Sequence, residues 1–426
     1  MTTLADESVK VGEGASPRPR GRQAGFGFIF ATAIMNALSF GLMVPVLPAL
    51  LKSFAGGDTA SAALWQTVFA LTWGAVQFFS GPVLGLASDR FGRRPVLLVS
   101  TFGLAADFLL MAFAPNLAWL FLGRVLNGLT ASSNSTANAY LADITPAADR
   151  SRRFGMLGSA FSVGFILGPV LGGYLGEINL RLPFMVAAGM ALVNGLYGLF
   201  ILPESLAPER RADAFRWRGA NPLVALGFLR SHGELGGLAA MSFLFQLSMN
   251  VWPLTYVLYT QYRYHWSIGF IGMVMMFTSA ASAAVQFGLV GRVVRRIGER
   301  GAVILGASCG AISMTLYGWA PNGLLYFLGT PFGICSGFMM PGVMGLMSQR
   351  VAGSEQGRLQ GANQSLQGIS SVVAPLLYGS VFFYALHNDA WLHQPGLAFY
   401  LSGLAIALIF VLGLRFARPS LRPAFA

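Results

Sequence analysis

Asp107 is the only carboxylate deep inside a long apolar run of this chain, in Leu104-Ala-Ala-Asp107-Phe-Leu-Leu110. A lone charge in such surroundings is costly, so a residue of this kind has a partner or a function. Arg124, inside the next run, is the matching base. Two chemistries follow. An arginine partner holds the carboxylate ionised as a structural charge pair, whereas a proton-coupling group must also spend time neutral. A second constellation is short and polar: Gly85-Leu-Ala-Ser-Asp89-Arg90-Phe-Gly92-Arg93-Arg94, with Asp143 at the end of another run. Its glycines permit a tight turn, and its acids can accept charge-assisted bonds from arginines or from a helix start. Such a cluster can latch one conformation and part in another. The third set is neutral. Asn127, Thr130, Asn134 and Asn138 recur at helical spacing, as do Gln360, Asn363, Gln364, Gln367 and Ser371. Asn36, Gln77, Gln246 and Asn250 interrupt other apolar runs. Polar stripes facing lipid are costly, so these either bond helices together or line a water-filled cavity.

Twelve apolar runs must position these residues: 24–51, 62–87, 95–114, 117–142, 154–176, 182–203, 235–260, 267–290, 301–320, 322–347, 357–385 and 396–417. Each has about the 20 residues a helix needs to cross a ~30 Å hydrocarbon core. Helices are the reading because backbone inside lipid must satisfy its own hydrogen bonds. The composition agrees: of 426 residues, 55% are hydrophobic and only 10% charged, against about 25% charged in a soluble domain. Mean hydropathy is +0.61. An ordinary cytosolic enzyme is excluded, and no catalytic constellation is visible. Cys309 and Cys335 have no metal-ligand spacing, and the four histidines lie between the runs. No metal and no cofactor are expected.

The chain is nonetheless basic, with a net charge of +12. Basic proteins often bind nucleic acid, but the placement of the charge argues otherwise. Alternate connections and both tails hold 24 of the 28 lysines and arginines; the opposite side receives Lys52, Arg181 and Arg263. Positive charge marks the cytoplasmic face, so both termini are expected there, and nucleic acid is not an expected partner. The resulting division is a disordered tail 1–23, a six-helix bundle 24–203, a central cytoplasmic loop 204–234, a second bundle 235–417 and a tail 418–426. Leu223–Leu229 reads equally as an interfacial amphipathic helix or a solvated linker. Depth arithmetic relates the two intramembrane charges. Asp107 is twelve residues past Pro95, about 18 Å at 1.5 Å per residue. Arg124 enters from the other face by seven residues, about 10 Å, which leaves about 20 Å of a ~30 Å core. The two are expected at similar depth on adjacent helices.

An internal repeat runs at a constant offset of 206 residues. Gly85 falls on Gly291, Arg90 on Arg296, Gly92 on Gly298, Arg94 on Arg300, and Ala114-Pro115-Asn116 on Ala320-Pro321-Asn322. Arg152 meets Arg358, Pro169 meets Pro375, and Gly173 meets Gly379, while Arg295 stands where Asp89 would. Parallel repeats of this kind build transporters that rock about a central site.

The Gly85–Arg94 loop resembles the signature loop of the major facilitator superfamily. Gly123-Arg124-Val-Leu-Asn-Gly128 resembles that superfamily's intramembrane arginine motif. The run holding Gly164, Gly168, Pro169, Gly172, Gly173 and Gly176 resembles the motif of its antiporter branch. Physically, glycines four apart leave a groove that lets another helix approach. Gly81–Ser100, Leu141–Thr145, Leu202–Ser205 and Glu355–Gly361 resemble the tetracycline/proton antiporter family. The resemblance implies an all-α membrane protein of twelve transmembrane helices in two six-helix pseudo-repeats, driven by a proton gradient in the bacterial inner membrane. In that arrangement the first, fourth, seventh and eleventh spans line the cavity, which makes Asn36, Asn127, Asn134, Asn138, Gln246, Asn250, Asn363 and Gln367 substrate-cavity candidates, with Gln77 of the second span similarly placed in an apolar run. The chain also departs from the family. Asn36 and Gly310 stand where the family has carboxylates, and Ser282 where it has a histidine, while Gln77 and Asp107 match.

An amide-rich, aromatic-rich pocket suits a moderately apolar solute with hydrogen-bonding groups. The expected function is a secondary active transporter that exports drug-like or amphipathic small molecules by alternating access, with proton antiport as its coupling. The alternative is a facilitator or importer of a neutral metabolite without obligatory proton coupling, which the missing carboxylates favour. The expected partners are the small-molecule substrate and the lipid bilayer, and the expected assembly is a monomer.

Overall fold

The computed structural model describes residues 20–131, 133–146, 149–212, 227–229, 233–352 and 355–417. Regular structure among the described residues is entirely helical. The order is α1 (Arg20–Met43), α2 (Leu47–Phe54), α3 (Thr59–Phe91), α4 (Arg93–Phe113), α5 (Leu117–Thr130), α6 (Ser133–Ile144), α7 (Arg150–Ile178) and α8 (Leu182–Ile201). After the central connection come α9 (Gly236–Met249), α10 (Val251–Tyr264), α11 (Ile268–Gly288), α12 (Val290–Trp319), α13 (Gly323–Leu328), α14 (Thr330–Cys335) and α15 (Met339–Ser348). The chain closes with α16 (Gln356–Ala374), a π turn at Pro375–Gly379, α17 (Ser380–His387), α18 (Asp389–Leu392) and α19 (Leu397–Phe416).

Ten helical segments among the described residues are long and apolar enough to cross a membrane. The expected runs 117–142 and 235–260 are not among them. Each is divided between two shorter helices, α5 with α6 and α9 with α10. The first helix also begins at Arg20, inside the stretch expected to be a disordered tail. Arg20, Arg22 and Gln23 are good helix formers and extend the run at little cost. Of Leu223–Leu229, residues 223–226 lie outside the described residues; Phe228 and Leu229 are buried against the second half.

Sequence punctuation explains the boundaries. Asp58 caps α3 by accepting from the backbone N–H groups of Ala60 and Ser61, and its bonds to Ser61 hold its carboxyl below the usual carboxylate range. Asn116 caps α5, and its repeat-mate Asn322 caps α13. Gly92 (φ 106°) separates α3 from α4, and its repeat-mate Gly298 (φ 74°) breaks α12. A side chain is strained at such φ, so glycine is required in both loops. The repeat therefore extends to backbone conformation.

The two halves touch at one end and part at the other. At the end away from the arginine-rich loops, a Cβ on Gly173 would lie 2.7 Å from the carbonyl oxygen of Ile268, so α7 and α11 are in backbone contact. On the other seam, a Cβ on Gly74 of α3 would lie 2.6 Å from the Ser371 carbonyl oxygen of α16, and Gln66 donates to the Pro253 carbonyl at 3.1 Å. Gly155 is eighteen residues before Gly173, five turns down the same face of α7. A Cβ there would meet nothing within 4 Å, and the same holds for Gly81, Gly85, Gly288, Gly357 and Gly361. At the arginine-rich end the facing helices are apart, and Phe79 and Phe287 stand 68% and 72% exposed.

Candidate functional site

The depth arithmetic places Asp107 and Arg124 at one level, and in the structure their side chains meet. Arg124 Nη2 donates to Asp107 Oδ2 at 2.5 Å. Asn127, one turn further along α5, donates to the same oxygen at 2.8 Å, and Trp73 of α3 donates through Nε1 to Asn127 Oδ1 at 2.7 Å. The network thus ties α3, α4 and α5. Asp107 is 0% exposed and Arg124 6% exposed, and Arg124 Nη2 also lies 3.5 Å from the Met111 sulfur. Gly123 makes room, because a Cβ there would fall 2.7 Å from Asp107 Oδ1. Two buried polar atoms, Asp107 Oδ1 and Arg124 Nε, have no hydrogen-bond partner. The second repeat has no charge here: the positions equivalent to Asp107 and Arg124 are Ser313 and Thr330. Ser313 bonds instead to the Gly329 carbonyl at 2.9 Å. Among the described residues, only the first half carries an intramembrane pair.

The arginine-rich cluster forms within the first half. Arg93 donates to Asp89 at 2.5 Å and to Asp143 at 3.2 Å, and Ser205 donates to Asp143 at 3.2 Å. Arg94 turns to the Leu199 carbonyl at 2.6 Å, at the end of α8. Arg90 is exposed and lies over its neighbour Phe91. No hydrogen bond of Asp89, Arg90, Arg93, Arg94 or Asp143 reaches the second half among the described residues. The organiser that sequence reasoning missed is Glu204. Its carboxylate accepts from the backbone N–H groups of Arg93 (2.9 Å), Arg94 (3.2 Å) and Leu206 (3.0 Å). It therefore caps the start of α4, where no local side chain does so. The available signal was a glutamate directly after the apolar run that ends at Pro203. Glu204→Ala should lower stability by about 0.5–2 kcal/mol, the usual value of such a cap, read as a fall in unfolding temperature by scanning fluorimetry.

The amide stripe divides in two. Asn127 is committed to Asp107 and Trp73. Asn363 is buried and bonded by Ser242 at 3.0 Å, and Asn250 donates to the Gln246 carbonyl at 2.8 Å. By contrast, the side-chain amides of Asn36, Gln77, Asn138, Gln246 and Gln367 form no hydrogen bond among the described residues, and all five residues are at least partly exposed. The side chain of Asn134 lies outside the described residues. The split predicts two phenotypes. Asn363→Ala should cost about 1–3 kcal/mol of stability, because it removes a buried partner. Gln246→Ala or Gln367→Ala should leave the unfolding temperature nearly unchanged and alter apparent substrate KM.

Gly164, Gly168 and Gly172 seat α7 on α1. A Cβ on Gly168 would lie 2.6 Å from the Gly41 Cα, and one on Gly164 2.6 Å from the Leu38 nitrogen. Gly173 turns to α11, and so does Pro169, whose carbonyl receives Gly272. Gly164, Gly168 and Gly172 thus serve one seam and Gly173 the other, while Gly176 lies between Val46 and Ile268. Gly310, where the resembled family has a carboxylate, is packed shut: a Cβ there would lie 3.1 Å from Ile406 and 3.2 Å from Ser336. No cluster of three or more metal-ligating side chains occurs among the described residues.

Comparison with known proteins gives this arrangement a family context. The model of the Major Facilitator Superfamily matches residues 29–375 and 238–426. A class C tetracycline resistance protein of Escherichia coli is 35% identical over 387 residues, covering 91% of this chain and 95% of its own. A multidrug resistance protein of Bacillus subtilis is 28% identical over 358 residues, covering 81% and 86%. Among solved structures, a human organic anion transporter superposes with a TM-score of 0.68 at 23% identity, over 92% of this chain and 99% of that one. A nucleoside transporter superposes with a TM-score of 0.75 at 12% identity, over 94% and 100%.

Proposed function

The chain belongs to the major facilitator superfamily, and from that premise we propose that it exports drug-like or amphipathic small molecules by alternating access. It is a secondary transporter of the drug-resistance type. The observation that carries the mechanism is the asymmetry of the seams: the halves are in backbone contact at one end and separated at the other, with unbonded amides of both halves exposed. The arginine-rich end faces the cytoplasm in this reading, so the conformer is inward-open. Twelve crossings follow if α5 with α6, and α9 with α10, each act as one broken span, and both termini are then cytoplasmic. The relatives are bacterial, which supports a multi-pass protein of the bacterial inner membrane. It works as a monomer with no bound cofactor.

In the outward-open state the cytoplasmic helix ends must close. Asp89 and Arg90 then meet the second half and the arginine-rich cluster acts as a latch. Proton coupling is assigned to Asp107, held by Arg124 and Asn127 and linked through Trp73 to Gly74, on which α16 rests. Uncoupled facilitation is the second reading. One observation favours it: Asn36, Ser282 and the tightly packed Gly310 replace groups that could carry a proton.

The test uses the purified full chain in proteoliposomes with a pH-sensitive dye and a small drug panel that includes tetracycline. Drug-dependent proton release supports antiport. Drug flux without proton movement selects facilitation. No flux with any compound removes both.

A further inference from the structure

A single carboxylate crosses the closed seam between α7 and α11. Glu177, four residues past Gly173, accepts through Oε1 from the backbone N–H of Gly269 at 3.0 Å. Gly269 is in the first turn of α11, where backbone N–H groups have no partner within the helix. Ser267 satisfies Phe270 and leaves Gly269 to Glu177. The donor is in the second half and the acceptor in the first, so the bond exists only while this seam is shut. A carboxylate at a helix start also gains from the helix dipole. Nothing competes for it: α11 carries no charged or titratable side chain, and no ion pair of Glu177 is found among the described residues. The position equivalent to Glu177 in the second repeat is Phe383, so the α3–α16 seam lacks this device.

Resting on the transporter reading above, we infer that Glu177 is a positioning residue that latches the outer seam in the inward-open state and releases α11 at each outward opening. The two ends then carry opposed latches. The outer one is engaged here, while the arginine-rich cluster at the inner end makes no bond across the halves among the described residues. Closing one end requires parting the other, so each latch stabilises one end state at the other's expense. Glu177 is a gate and not a proton carrier, because its carboxylate bonds a backbone N–H of the facing helix at the outer face and leads nowhere toward Asp107.

The bond can be broken from either side. Glu177→Ala removes the acceptor. Gly269→Ala inserts a methyl whose carbon would lie 2.6 Å from Oε1, displacing the carboxylate while leaving Glu177 in place. Glu177→Gln keeps an acceptor oxygen and removes the charge. The experiment is a pulsed electron–electron distance measurement on the full chain in nanodiscs. Spin labels replace the exposed Ser53 and Gln394, which lie in opposite halves at the outer end, in a background with Cys309 and Cys335 changed to serine. Each single alanine variant should raise the ratio of outward-open to inward-open populations by about two- to fivefold, the range for one helix-terminus charge. The double variant should do no more than either single one, because both remove the same contact. Glu177→Gln should fall between Glu177→Ala and the parent. Unchanged distance distributions in both alanine variants, or additive shifts in the double, would overturn the latch. Should Glu177→Ala fail to fold, Gly269→Ala alone decides. The measurement needs no substrate, so a failed drug panel and a failed latch remain distinguishable.

Discussion

Arg124→Ala is expected to lower stability by about 3–5 kcal/mol, the range for removing one partner of a buried ion pair. Asp107, fully buried in the parent protein, would keep the Asn127 amide as its one hydrogen-bond donor. Oδ1 already lacks a partner, and Gly123 holds the helices too close for the carboxylate to swing away. The variant should show a large fall in unfolding temperature and no measurable transport. Alone, this result would not reveal whether the pair does more than hold α4 to α5.

A neutral double variant separates the roles. Asp107→Asn with Arg124→Gln keeps similar shapes, restores a donor and an acceptor, and removes both charges. It should recover most of the lost stability, since replacing a buried ion pair by matched neutral groups is often close to neutral. If the pair only braces the bundle, drug-dependent proton release returns with the stability. If Asp107 carries the coupling, the double variant stays folded and still binds drug, but moves drug only down its gradient. Retained proton release in the stable double variant would end the coupling assignment.

Much of this was legible in the sequence, and the residues show why. The fold follows from apolar runs, turn residues and a repeat, all of which are local or periodic signals. Asp107 and Arg124 were placed at one depth because helix rise is fixed, and that arithmetic needs no tertiary information. The commitments of the amides were hidden. Asn127 and Asn138 have the same spacing on the same polar face, yet one is bonded to Asp107 and Trp73 and the other is exposed. Helix rotation and neighbour packing decide this, and a polar stripe is silent about both. Glu204 and Glu177 were missed for a related reason. Each bonds to the start of a helix distant in sequence, 110 and 92 residues away respectively, so the local sequence does not say which helix it caps. The division of the glycine motif between two seams was equally invisible, because spacing describes a groove but not which helix fills it.

Gly168→Val and Gly158→Ala, ten residues apart on α7, are expected to have opposite effects on stability. At Gly168 the branched side chain would start 2.6 Å from the Gly41 Cα and 2.9 Å from the Leu38 carbonyl. Those are backbone atoms of α1 and cannot move aside as a side chain can. Overpacking of this kind costs about 1–3 kcal/mol. The same wedge tilts α7 and carries Gly173 and Glu177 away from α11, so the outer seam should leak and drug gradients should collapse. At Gly158 a Cβ meets nothing within 4 Å. Replacing a helical glycine there should raise stability by about 0.5–1 kcal/mol through helix propensity alone. Turnover should nevertheless fall, because this open face is where the arginine-rich ends of the two halves must approach when the other end opens. Scanning fluorimetry combined with vesicle flux reads both effects. A Gly158→Ala protein that is stabilised and transports at the parental rate would mean that α7 and α11 never close on each other at the arginine-rich end, and that the seam asymmetry is not the transport motion.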